Sequence, residues 1–105
     1  MGQVSIACYR PKPGKDAELL ELTRDHVPIL RTQGLATERL PYLMRAADGT
    51  IVEVFEWKSA EAVNAAHKNP EVGKLWQRYG ELCDFVKLGD LAETRELFAN
   101  FEPID

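Results

Sequence analysis

At 105 residues, with 45% hydrophobic and 29% charged side chains, the chain suffices for one domain that buries roughly 60–68% of its unfolded surface without a disulfide or metal. A net charge of −4 and a pI near 5.2 exclude the basic footprint of a nucleic-acid binder. No apolar run approaches the ~20 residues of a membrane-spanning helix, and Met1-Gly2-Gln3 enters strand-like sequence without a signal peptide, so a cytoplasmic protein with no membrane partner is expected.

The first predicted strand runs from about Gln3 to Arg10, with Val4, Ile6 and Cys8 on one face and Ser5, Ala7 and Tyr9 on the other. Pro11-Lys12-Pro13-Gly14 stops it, because proline cannot donate to a sheet ladder and glycine permits a turn. A helix follows from about Lys15, its apolar stripe built on Ala17, Leu20, Val27 and Leu30 and widened by Leu19 and Leu22. Pro28 should bend it, and Gly34 should end it. His26, two residues before that proline, suggests a surface or bend-associated role.

Leu35 to Arg45 reads as a long second strand, which Pro41 restricts to a sheet edge or a bulge. Ala47-Asp48-Gly49 is a hairpin turn, and the β-branched and aromatic run Thr50 to Trp57 returns as the third strand. Ile51, Glu53, Phe55 and Trp57 share one face of it, Val52 and Val54 the other. Ser59 caps a second helix, which Asn69-Pro70 interrupts and restarts. Val72, Leu75, Trp76 and Tyr79 then give one apolar face, with Trp76 expected as helix core. Cys83 to Leu88 forms a fourth strand, Asp90 and Glu93 mark a capped turn, and Phe98 and Phe101 should anchor the tail by burial.

The order β-α-β-β-α-β predicts a ferredoxin-like α+β fold with a four-stranded antiparallel sheet and helices on one face. It forms one domain, its core at about residues 3–88 and its tail, 89–105, packed on it. Apolar residues on both faces of the third strand need a second layer of cover. A second copy packed face to face would supply it, so a homodimer is expected. Cys8 and Cys83 read as packed, reduced thiols.

Three segments resemble the dimeric α+β barrel superfamily, and within it the antibiotic biosynthesis monooxygenase (ABM) type. They are Tyr9-Arg10-Pro11-Lys12-Pro13-Gly14-Lys15, Val54-Phe55-Glu56-Trp57-Lys58-Ser59, and Ala65-Ala66-His67 followed by Asn69-Pro70. The likeness spans about residues 3–88. Glu71 and Val72 stand where many ABM-type sequences carry a second histidine. Strand one has Ser5, Ala7 and Tyr9 where the haem-degrading members use an asparagine, and Leu75-Trp76-Gln77 replaces their iron-binding histidine, so haem is not expected. The resemblance implies a cofactor-free oxygenase in which asparagine, tryptophan, tyrosine and arginine surround an aromatic substrate. Asn64, Trp57, Tyr9 and Arg39 or Arg45 are the available counterparts.

His67 is the leading candidate as general base, expected on the sheet-facing side of the second helix, with Asn64 assisting. Against this stands a half-buried histidine that merely caps a carbonyl near the helix break. Tyr9 and Trp57 would sandwich a ring, or else serve packing. Glu53, on an otherwise apolar face, is either a base or the partner of Arg39 or Arg45 from the neighbouring strand. No zinc signature, nucleophile elbow, phosphate loop or dinucleotide fingerprint is present, so neither metal nor cofactor is expected.

The leading expectation is therefore a homodimeric small-molecule-binding protein, a cofactor-independent monooxygenase of a phenol- or quinol-like compound. In it His67 and Asn64 are catalytic, and Tyr9, Trp57, Glu53 and Arg45 bind substrate. The competing class is non-enzymatic: a homodimeric ligand-sensing or stress-related module whose aromatics hold the dimer together.

Overall fold

A computed structural model describes every residue from Met1 to Asp105. Its elements are β1 (Gln3–Pro11), α1 (Asp16–Thr32), β2 (Tyr42–Arg45), β3 (Ile51–Trp57), α2 (Ala60–Ala66), α3 (Pro70–Leu82), β4 (Cys83–Val86) and β5 (Glu102–Pro103). All neighbouring strands are antiparallel, in the order β4-β1-β3-β2-β5. The sheet thus has five strands rather than four. The fifth comes from the tail, which pairs Met44 with Pro103 and Arg45 with Glu102 and so covers the edge that β2 would leave open.

Local chemistry accounts for the boundaries. Asp16 and Glu18 complement the positive end of the α1 dipole and Arg31 the negative end. Gly34, at φ 74, closes α1: its N–H bonds Arg31 O at 2.9 Å, and Leu35 N–H bonds Leu30 O at 2.9 Å. This is the paired motif that a left-handed glycine allows. The Ser59 hydroxyl caps α2 by accepting from Ala62 N–H, and the Asn69 side-chain oxygen Oδ1 caps α3 by accepting from Glu71 and Val72 N–H. Pro70 occupies the start of α3, where no donor is needed.

Three expectations give way here. The long second strand shrinks to Tyr42–Arg45 plus one bridge between Ala36 and Trp57, because Pro41 lacks a ladder donor. The fourth strand stops at Val86, where the chain turns into the 3-10 turn Leu88–Asp90. Phe98 is 77% exposed and anchors nothing; Leu91, 1% exposed, takes that part, with Phe101 partly buried beside it.

The helices cover the face bearing Tyr9, Ile51, Glu53, Phe55 and Trp57. The stripe of α1 is rotated from the one its sequence suggests: Leu19, Thr23, His26, Val27 and Leu30 are buried, while Ala17 is exposed. On the opposite face the tail seals one end, where Leu91 packs with Cys8, Ala46 and Val52. The other end stays open. Val4, Leu40 and Tyr42 are exposed there around a hollow of about 560 Å³, and Ile6 is exposed as well.

Candidate functional site

Small residues on β1 create the space from which the site is made. Ser5 pairs with Phe55 and Ala7 with Glu53 in the β1–β3 register. Both side chains are short and line a cavity of about 440 Å³ between sheet and helices. Phe55 and Trp57 of β3 and Trp76 of α3 wall it, and Phe85 of β4, 62% exposed, stands at its rim. The Trp57 indole N–H donates to Ser5 Oγ at 2.9 Å, which fixes that wall. The Ser5 hydroxyl hydrogen is left to point elsewhere.

His26 of α1 supplies the polar end of the cavity. It is 2% exposed, and its ring is held edge-on by Phe55 at 5.2 Å and Tyr79 at 5.4 Å. Nδ1 lies 2.8 Å from Glu53 Oε1, and the Tyr9 hydroxyl donates to the same oxygen at 2.8 Å. On the other side of the ring, the Trp76 indole N–H meets Nε2 at 3.4 Å. A carboxylate only accepts and an indole N–H only donates, so Nδ1 carries the hydrogen and Nε2 the lone pair. Two independent neighbours thus select one tautomer, with its basic nitrogen at the cavity. Such a carboxylate–histidine pair is suited to taking a proton from a bound ligand.

Tyr9 cannot share that task. Burial, then the negative charge of Glu53, pushes its phenol well above the ordinary tyrosine range, so it remains a donor that orients the carboxylate. Tyr79, stacked on Tyr9 at 4.5 Å and donating to Thr23 Oγ1, is raised as well, chiefly by burial. The sign of the pH effect follows. Above the ordinary tyrosine pKa of 10.0 the unfolded chain releases protons that the folded protein keeps. Stability is therefore fully present below that value and falls as pH rises past it, by about 1.4 kcal/mol per pH unit for each phenol. Urea unfolding at pH 8, 10 and 11 should show the decline beginning near 10; a flat profile would contradict the burial of both phenols.

The structure brings together only part of the predicted set. Tyr9 and Trp57 line the cavity, and Glu53 lies directly behind His26. Glu53 pairs with neither Arg39 nor Arg45: Arg39 bonds Glu56, and Arg45 bonds Asp16 at 2.5 Å, away from the cavity. Asn64 is exposed on α2. His67 is exposed just beyond α2 rather than facing the sheet, and its ring touches the Trp76 ring at 5.1 Å. The histidine in the cavity is His26, for which the sequence suggests a surface or bend-associated role. Trp76, expected as plain helix core, is a half-buried cavity wall. No group of three or more His, Cys, Asp or Glu side chains is placed to hold a metal ion, and no helix is long and apolar enough to cross a membrane.

These features define the class: an α+β domain in which an antiparallel sheet and its helices form an open-mouthed aromatic cavity ending on a carboxylate–histidine pair. A solved structure of the same fold is that of Rv0793 from Mycobacterium tuberculosis, which matches with a TM-score of 0.62 over 88% of this chain and 99% of that one, at 21% identity. At that identity the likeness establishes the fold alone. No protein-family model matches the sequence, and no curated protein does.

Proposed function

We propose that the cavity binds a small aromatic molecule and that His26, held by Glu53, removes a proton from it. The observation that carries this is geometric: a buried imidazole, held by Glu53 at Nδ1 and reached at Nε2 by the Trp76 indole, lines an aromatic-walled cavity. The ABM-like segments extend the proposal to a cofactor-independent monooxygenase of a phenol. Deprotonation makes the ring electron-rich enough to reduce oxygen, and the walls around it are mostly apolar. A phenol and one O₂ then give a quinone and one water, the electrons coming from the substrate. His67 and Asn64, exposed and outside the cavity, have no part in this mechanism.

Oxygen uptake tests it, with 1-naphthol as probe. Consumption of one O₂ per naphthoquinone formed, at a rate proportional to protein, is expected. Binding without oxygen uptake would favour the ligand-sensing alternative, and no binding at all would end both.

The open sheet face favours a homodimer in the same proposal, since Val4, Ile6, Leu40 and Tyr42 form one exposed apolar area. Sedimentation should show a dimer at micromolar concentration and a shift toward monomer in Ile6→Asp. A folded wild-type monomer at that concentration would rule the dimer out.

A further inference from the structure

The Trp76 indole N–H donates to His26 Nε2 and so covers the base's lone pair. At 3.4 Å it is long for an N–H donor, and its indole is only half-buried. Trp76 also bears on His67, whose exposed ring leaves that flank open to solvent. The Trp57 indole, by contrast, is buried and tied to Ser5 at 2.9 Å. One indole is therefore a fixed wall and the other a weakly held cover.

Accepting that the cavity is the ligand site, we infer that Trp76 makes it selective for uncharged ligands that carry a hydrogen-bond donor. A hydroxyl or amine hydrogen can replace the indole N–H on His26 Nε2, so the buried lone pair stays satisfied when the cover shifts. An ether or a plain hydrocarbon leaves the lone pair unpaired, or must bind without displacing the indole. An anion fares no better. No lysine or arginine lines the cavity, and the one carboxylate bonded into the site, Glu53, repels a second negative charge through the imidazole. The free hydroxyl hydrogen of Ser5 offers a donor for a second oxygen on the ligand.

The test uses the two indole N–H resonances of ¹⁵N-labelled protein, assigned with Trp76→Phe, and three probes: 1-naphthol, 1-methoxynaphthalene and 1-naphthoate. Naphthol should move the Trp76 resonance and speed its hydrogen exchange while the Trp57 resonance keeps its protection. The ether and the carboxylate should each bind at least about 10-fold more weakly than naphthol, as expected when a buried polar group loses its partner. In Trp76→Phe, where no N–H has to be displaced, naphthol should bind several-fold more tightly. Equal affinity for naphthol and its ether, or naphthol binding with the Trp76 N–H unmoved, would overturn the selection by Trp76 and leave the cavity as a ligand site. If no probe perturbed any cavity resonance, the ligand site itself would fall, and the selection with it.

Discussion

His26→Gln should lower the oxygenation of 1-naphthol by about 10²–10⁴-fold, the usual worth of a general base, while His67→Ala should change it by less than about twofold. The glutamine amide can still donate toward Glu53 but offers no basic nitrogen to the cavity. The fold should survive, because Phe55 and Tyr79, which hold the ring edge-on, belong to the core independently of it. Steady-state oxygen uptake on both variants, with thermal melts alongside, checks the pair of outcomes. Equal losses in both would show that the assay reports global damage, and a loss confined to His67→Ala would return the base to the far side of Trp76.

Glu53→Ala should be the most damaging single change to stability. Glu53 is fully buried, and its Oε1 serves both the Tyr9 hydroxyl and His26 Nδ1. Removing it leaves two buried donors with no acceptor and opens a void at the centre of the sheet's covered face. Breaking a buried, hydrogen-bonded pair of this kind costs about 3–5 kcal/mol, which for a domain near 100 residues lowers Tm by more than about 10 °C. Glu53→Gln keeps an acceptor for both donors and should recover much of that loss, yet it removes the charge that favours a protonated imidazole in the transition state. A melt separates the two variants, and a Glu53→Ala protein as stable as wild type would show that the carboxylate is not buried as described.

Periodicity and punctuation disclosed much of the fold. The alternation of Ser5, Ala7 and Tyr9 put these residues on one face, and the run Ile51 to Trp57 placed Glu53 beside Phe55 and Trp57, as the register shows. The helix break at Asn69-Pro70 was legible because both residues have a local preference that tertiary contacts need not supply. The tail was not: Leu91, Phe98 and Phe101 are all apolar, and only the tertiary path decides which of them meets Val52.

The site was half visible for a related reason. Leu19, Thr23, His26 and Leu30 recur at intervals of four, three and four, a stripe that carries His26 inward. A stripe drawn through Ala17, Leu20 and Val27 turned the same histidine outward, and the nearby proline suggested a local use for it. The partner of Glu53 lies 27 residues away on another element, a distance at which spacing gives no guidance. Arg39 and Arg45, near in sequence to the hairpin, were more visible and were already engaged with Glu56 and Asp16.

The chain has two histidines, so their imidazole nitrogens can be followed individually in one ¹⁵N-labelled sample. Long-range proton–nitrogen correlation should find the His26 ring protonated at Nδ1 with its lone pair at Nε2, and addition of 1-naphthol should shift that Nε2 signal while both nitrogens of His67 stay where they were. A His26 ring protonated at Nε2, or a response confined to His67, would contradict the assignment of His26 and Glu53 as the chemical end of the cavity.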